Sequence, residues 1–163
     1  MKPIIRSAIP TDMPRVLELI NELAVFEKEP NAVKIQVRDL VDNGFGDAPM
    51  FHCFVAEYDG KIAGMALVYF RFSTWVGKTL HLEDLIVEDV YRSKGIGMAL
   101  YERVMEYARE THANRVNWVV LGWNEGAKKF YERTGATIMD EWWQVEMDKE
   151  SLNDFLENGS KGQ

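Results

Sequence analysis

The pattern of apolar and polar positions divides the chain into helical and strand-like segments. Apolar residues recur at helical spacing from residue 16 to residue 26, and Thr11 is a suitable N-cap for that helix. Residues 51–57 and 62–72 are strand-like, and the dipeptide Asp59-Gly60 between them is a strong signal for a tight turn. We therefore predict that these two strands form an antiparallel hairpin.

The second half of the chain predicts a parallel strand pair. Residues 80–87 and 115–121 are strand-like, and a helix with one apolar face lies between them. A helical connection of this length joins parallel neighbours. The other predicted elements are a strand at 4–8, helices at 37–43 and 125–134, strands at 136–139 and 142–147, and a helical turn at 149–156. This order predicts an α/β fold with one mixed twisted sheet flanked by helices.

Composition limits the size of the protein and its range of partners. A chain of 163 residues with 47% hydrophobic content fits one globular domain, which we expect to span 1–157, with a disordered tail at 158–163. The formal net charge of -7 argues against binding to nucleic acid or to an anionic membrane. It slightly favours a cationic small-molecule substrate.

Cysteine use and hydropathy indicate a cytoplasmic protein without a metal site. The single cysteine, Cys53, lies in an apolar strand and is expected to be a buried thiol in a reducing compartment. His52 beside it points to the opposite face of the strand, so a nucleophilic role is disfavoured. No apolar stretch is long enough for a signal peptide or a membrane span, and no His, Cys and carboxylate cluster has metal-ligand spacing.

A glycine-spaced loop opens the helix that follows residues 80–87. It reads Arg92-Ser93-Lys94-Gly95-Ile96-Gly97. Backbone N–H groups at this spacing, together with the positive end of the helix, can hold a pyrophosphate. A Walker loop is excluded because Met98 follows Gly97, and a dinucleotide fingerprint is excluded because Leu100 stands where a third glycine is needed.

This loop resembles the acyl-coenzyme A signature of the GNAT superfamily of N-acetyltransferases, Arg/Gln-x-x-Gly-x-Gly/Ala. The resemblance implies the GNAT (acyl-CoA N-acyltransferase) fold, with acetyl-CoA as co-substrate. The cofactor-binding residues are then Arg92, Ser93, Lys94, Gly95, Ile96, Gly97 and Met98 in the loop, and Leu85, Ile86 and Val87 in the preceding strand. The strand's backbone can pair with the pantetheine arm, and one of its N–H groups can bond the thioester oxygen.

Glu83 interrupts an otherwise apolar strand, where a carboxylate is costly unless it is paired or functional. It can accept the proton of the amine, directly or through water. Adjacent Asp84 is expected to point to the other face, where a structural bond is an equal alternative, and His81 shares the face of Glu83. For His81, a strand histidine with a satisfied structural partner is the simpler interpretation.

The segment after residue 123 supplies a candidate acid. On spacing alone, Tyr131 is more simply a core aromatic. The pattern Asn-x-x-Ala-x-x-Phe-Tyr, formed by Asn124, Ala127, Phe130 and Tyr131, reverses that preference, because the superfamily commonly places a thiolate-protonating tyrosine there. Asn124 would then bond the pantetheine, and it can also cap the helix.

Several separate segments resemble spermidine/spermine acetyltransferases and their thialysine-acetylating relatives. They are Leu19-Ile20-Asn21-Glu22-Leu23-Ala24, Asp42-Asn43-Gly44-Phe45-Gly46, Trp75-Val76-Gly77-Lys78, Leu82-Glu83-Asp84 and Trp123-Asn124-Glu125. The resemblance implies that Tyr131 is the acid and Glu83 the amine-side base, that Phe26, Glu27 and Trp75 border the substrate channel, and that the chain forms a homodimer. Ser73 replaces an acidic residue of the polyamine enzymes, which weakens attraction for a long polycation.

These inferences lead to an acetyl-CoA-dependent N-acetyltransferase that acts on a small cationic primary amine, a polyamine or diamine, by direct attack in a ternary complex. Two alternatives stay open. The amine can belong to a lysine-like amino acid such as thialysine, or the chain can be an acetyl-CoA-binding sensor without turnover. A sensor has no need for both Glu83 and Tyr131.

Overall fold

A five-stranded sheet organises the first part of the chain. The computed structural model describes residues 2–159. The strands are β1 (Ile4–Ser7), β2 (His52–Tyr58), β3 (Lys61–Ser73), β4 (Gly77–Val87) and β5 (Arg115–Asn117), in the spatial order β1-β2-β3-β4-β5. The first three pairings are antiparallel and β4 runs parallel to β5. The predicted hairpin and the predicted parallel pair are both confirmed, and the mixed sheet has the predicted class.

The described part of the chain contains five α-helices. They are α1 (Met13–Phe26), α2 (Val37–Phe45), α3 (Ile96–Glu110), α4 (Glu125–Arg133) and α5 (Lys149–Asn158). The chain divides into two compact units, the first ending at Leu121 and the second beginning at Gly122. The sheet and α1 to α3 belong to the first unit, and α4 and α5 to the second.

The two faces of the sheet bury separate hydrophobic clusters. On one face, Phe54 of β2 and Leu82 of β4 pack with Leu100 and Val104 of α3. On the other face, Val55 and Met65 pack with apolar residues of α1 and α2. Successive residues of β2 thus enter opposite clusters, as a strand covered on both faces requires. Burying a side chain of this size stabilises the fold by about 1.5–3 kcal/mol, so the sheet is a rigid support for the loops at its edges.

A β-bulge interrupts β4 at Glu83, which has no partner in β3. The register pairs on either side of it are Val68–Leu82 and Leu67–Asp84. An extra residue in one strand shifts the alternation of side chains beyond it. Leu82 accordingly enters the α3 cluster and Ile86 the opposite cluster, although unbroken alternation would put both on one face.

Several predicted element boundaries are wrong at the N-terminal end. Thr11 does not cap α1, because it lies in a 3-10 turn, Pro10–Asp12, and Asp12 is the N-cap residue. The Asp12 carboxylate bonds Arg6 at 2.6 Å and the backbone N–H of Ile9 at 2.9 Å, which stabilises this turn. Helix α2 also continues past residue 43.

Gly44 lies within α2 and does not end it. A Cβ at Gly44 would lie 2.7 Å from the ring of Phe51, so this ring would have to move to admit a larger residue. The helix runs on to Phe45 and is followed by Gly46.

The predicted strands at 136–139 and 142–147 are also wrong, since the structure assigns no strand to either segment. A strand needs a neighbour that satisfies its backbone N–H and C=O groups. The described part of the second unit offers none, because its regular elements are α4 and α5. Likewise, β5 ends at Asn117 although residues 115–121 were predicted as a strand.

The C-terminal helix extends to Asn158, the first residue of the predicted tail, and residues 160–163 lie outside the described residues. Within residues 2–159, no helix has the length and apolarity that crossing a membrane requires.

Gly64 is a sharp test of how closely β3 and β4 approach. A Cβ at Gly64 would lie 2.6 Å from the Ile86 carbonyl oxygen and 3.2 Å from Leu100 Cδ1. Gly64→Ala should therefore lower the free energy of unfolding by about 1–3 kcal/mol, as overpacking does. Chemical denaturation measures this change. Gly122→Ala is the matched control, because a Cβ there meets nothing within 4 Å, and equal stability of the two variants would contradict the close packing.

Candidate active site

The loop before α3 has the backbone shape of an anion-binding turn. Gly95 caps the helix in the left-handed conformation, with φ of 78°, and Ser93 also has a positive φ, of 61°. Among the described residues, no acceptor bonds the backbone N–H groups of Ile96, Gly97 and Met98. Unpaired donors at a helix N-terminus carry a partial positive charge that favours a bound anion.

The side chains of the loop add two cations. Arg92 pairs with Asp89 at 2.8 Å, and its guanidinium carbon lies 5.2 Å from the ring centre of Phe26, the last residue of α1. Lys94 Nζ lies 5.3 Å and 5.0 Å from the rings of Tyr58 and Tyr91. Both contacts leave the cationic groups beside the helix N-terminus, where they can reinforce binding of a pyrophosphate.

The end of β4 next to this loop has one open edge. Leu85, Ile86 and Val87 pair with β3 on one side. On the other side, the pairing with β5 ends at the pair His81–Asn117, so within residues 2–159 no strand continues along β4 beyond that point. Unpaired backbone groups at a strand edge can bind an extended ligand by adding to the sheet.

Glu83 stands at the start of this open segment, on the β4 bulge. Its side chain is 50% exposed, and Oε2 lies 3.5 Å from His81 Nε2. Burial, together with the negative charge of Glu83, raises the pKa of Tyr69 nearby. The bulge therefore presents an accessible carboxylate beside the side chains of His81 and Tyr69.

Asp84 and Glu27 form a cluster of carboxylates with Glu83. Burial raises the pKa of Asp84 to about 7, and repulsion from Glu83 and Glu27 adds to that effect. Burial also raises the pKa of Glu27. The described residues provide no hydrogen bond or ion pair for Asp84. A cluster of this kind is unfavourable in the free protein and attracts a bound cation.

The sequence interpretation missed Asp84 as a candidate functional residue. Strict alternation assigned it to the face opposite Glu83, but the bulge breaks the alternation between these neighbours. The available signal was the acidic pair Glu83-Asp84 within an apolar strand.

The other predicted site residues belong to other segments of the chain. Asn124, Ala127 and Tyr131 lie together in the second unit, where Asn124 Oδ1 caps α4 by accepting the N–H of Ala127 at 3.1 Å. Trp75 lies in the turn between β3 and β4 and is 80% exposed. Along β4, that turn is about 20 Å from Glu83 at the usual rise of a strand, so the first unit does not bring Trp75 to the carboxylate cluster.

Two other kinds of chemistry find no support in the described residues. Burial raises the pKa of the Cys53 thiol to about 12, which makes it a poor nucleophile. Within residues 2–159, no three His, Cys, Asp or Glu side chains are grouped to hold a metal ion.

Known proteins resemble this chain over most of its length. The model of the acetyltransferase (GNAT) family matches residues 14–136. The chain is 38% identical to thialysine N-epsilon-acetyltransferase of Bos taurus, over 85% of this chain and 86% of that protein. It is 35% identical to the Sus scrofa enzyme of the same name, over 93% and 96%. It is also 36% identical to spermidine/spermine N(1)-acetyltransferase-like protein 1 of Homo sapiens, over 93% of this chain but only 23% of that longer protein.

Solved structures support the fold. An integron cassette protein of V. cholerae superposes with a TM-score of 0.78 at 21% identity, covering 97% of this chain and 99% of that one. An aminoglycoside acetyltransferase from a soil metagenome gives 0.74 at 20% identity, covering 90% and 95%. The family model matches most of the chain, and the relatives are 35–38% identical to it. The chain therefore belongs to the GNAT family of acetyltransferases.

Proposed function

We propose that this protein transfers an acetyl group from acetyl-CoA to a primary amine of a small cationic substrate, a polyamine or diamine, by direct attack in a ternary complex. The observation that carries this proposal is the carboxylate cluster of Glu27, Glu83 and Asp84, beside the open edge of β4. It combines a site for a cation with a strand edge suited to an acyl-CoA arm. No metal takes part.

The cofactor side of the site uses backbone donors. Residues 92–98 bind the pyrophosphate, mainly through N–H groups at the start of α3. The open edge at residues 85–87 pairs with the pantetheine arm, and one of its N–H groups donates to the thioester oxygen as negative charge develops there. The family resemblance also assigns Asn124 and Ala127 to binding of the pantetheine arm.

The amine side of the site uses carboxylates. The substrate arrives as a cation. Phe26 and Glu27 border its path by the family resemblance, and Asp84, whose pKa is raised by burial and by repulsion from Glu83 and Glu27, lies beside them. Glu83 accepts, directly or through water, the proton that the ammonium group must lose before its nitrogen can attack the carbonyl carbon. The Tyr131 hydroxyl donates a proton to sulfur as the C–S bond breaks, and the second proton that nitrogen loses after the attack balances it. Trp75 is assigned to the substrate path by the family resemblance alone.

A lysine-like amino acid is the alternative substrate. The relatives named for thialysine favour it, at 35–38% identity over most of the chain. An amino acid brings its own carboxylate, which the cluster of Glu27, Glu83 and Asp84 repels. A diamine or polyamine carries no such group, so charge favours it.

We also propose that the protein is a cytoplasmic homodimer. Its one cysteine, Cys53, is a buried free thiol, as suits a reducing compartment. The dimer follows from the resemblance to polyamine acetyltransferases, which are usually homodimers.

A thiol-release assay with acetyl-CoA tests the proposed function. We expect the kcat/KM with spermidine or putrescine to be about tenfold or more above that with lysine or thialysine. The carboxylate of the amino acids adds a repulsive interaction with the cluster, and a tenfold difference corresponds to about 1.4 kcal/mol. A preference for thialysine would replace the diamine by the amino acid. Binding of acetyl-CoA without thiol release from any amine would replace the enzyme by a sensor.

Replacing Tyr131 by phenylalanine tests the acid. A positioned acid contributes about a hundredfold or more in rate, so Tyr131→Phe should lower kcat by at least that factor and leave the KM for acetyl-CoA nearly unchanged. Tyr107→Phe removes a hydroxyl from a ring that stacks on His52 and should keep full activity. An unchanged kcat in Tyr131→Phe would remove Tyr131 from this role.

A further inference from the structure

The side chain of His81 lies next to the carboxylate of Glu83. His81 lies two residues earlier in β4, and its side chain is only 8% exposed, against 50% for Glu83. Its Nε2 faces Glu83 Oε2 at 3.5 Å, and its ring lies 5.0 Å from that of Tyr69. A buried ring in contact with an accessible carboxylate can restrict the orientations of that carboxylate.

The opposite nitrogen of His81 is held as well. Its Nδ1 lies 3.3 Å from Asn117 Oδ1 in β5 and 3.4 Å from Arg71 Nη1 in β3. The three residues lie on three adjacent strands, at the last residue pair that joins β4 to β5. The ring is thereby fixed where the sheet begins to open.

The neighbours of His81 also decide which nitrogen carries its proton. A carboxylate only accepts hydrogen bonds, so the nitrogen facing ionised Glu83 must donate. A guanidinium only donates, so Arg71 favours an unprotonated Nδ1. The amide oxygen of Asn117 only accepts, so it favours a proton on Nδ1 instead, and the state of Nδ1 depends on which of these two neighbours it bonds. In either case the nitrogen that faces ionised Glu83 carries a proton and has no lone pair toward it, so His81 orients the carboxylate without taking the amine's proton from it.

We propose that His81 is a positioning residue that acts through Glu83, its Nε2–H fixing the carboxylate that accepts the amine's proton. This inference rests on the proposed role of Glu83. It assigns His81 a function beyond that of a strand histidine with a structural partner. Tyr69 of β3 lies beside the same pair, with its ring next to that of His81, and His81 supplies the donor that faces Glu83.

Replacing His81 by glutamine or by asparagine distinguishes the roles of its two ring nitrogens. His81→Gln places an N–H group near the position of Nε2 and can still donate to Glu83, whereas the shorter side chain of His81→Asn reaches only the position of Nδ1. We expect His81→Asn to lower kcat about tenfold or more, as loss of a hydrogen bond to a charged group does. The KM for acetyl-CoA should not change, and His81→Gln should restore most of kcat. His52→Asn is the matched control, because His52 stacks on Tyr107 of α3, and it should keep full activity.

A double-mutant cycle with Glu83→Gln shows whether His81 acts through Glu83. Glu83→Gln should lower kcat strongly by itself, and adding His81→Asn should then change kcat less than twofold. If the two losses multiply, His81 has only a structural role and the inference is overturned. If Glu83→Gln keeps full activity, the proposed function of Glu83 fails instead. Thermal unfolding of each variant verifies that the fold is intact, and His81→Gln tests the inference if His81→Asn does not fold.

Discussion

The pairing of β4 with β5 stops at His81 and Asn117, and the chemistry of the first unit depends on this limit. Backbone N–H and C=O groups in a protein interior need partners. Beyond His81, the edge of β4 that faces β5 has no strand beside it in the described residues, and the start of α3 adds unpaired N–H groups nearby. A ligand with an extended amide-bearing arm and a pyrophosphate satisfies both sets of groups. Acyl-CoA has both parts.

The bulge at Glu83 adds the carboxylates of the proposed acyl-transfer site to this strand edge. Without the extra residue, alternation would separate Glu83 from Asp84 and would put Leu82 and Ile86 on one face. With it, two carboxylates lie close together at the open end of the strand, and Glu27 adds a third. Such repulsion lowers stability when all three are ionised. Binding of a cationic substrate would relieve this repulsion, which links the local instability to the proposed specificity.

Much of this arrangement could be predicted from local sequence, because local rules determine it. Asp59-Gly60 specifies the hairpin turn, and the glycines of residues 92–97 specify the loop at which α3 begins. The bulge was not predictable, because it depends on pairing with β3, and with it the position of Asp84 was missed. The predicted strands at 136–139 and 142–147 failed for a related reason, since period-2 patterning indicates a strand but does not supply its neighbour. The proposed roles of Tyr131 and Trp75 come from the family resemblance, and local sequence patterns alone do not predict them.

Residue-resolved hydrogen exchange with and without CoA tests the cofactor cradle most directly. If the open edge of β4 and the start of α3 hold the ligand, the backbone amides of residues 96–98, and those of residues 85–87 that do not bond β3, should exchange at least about tenfold more slowly when CoA is bound. Backbone amides of α2, which packs against Val55 and Met65 of the sheet, should exchange at the same rate with and without CoA. Saturating CoA that leaves residues 85–87 and 96–98 exchanging at their free rates would contradict the account.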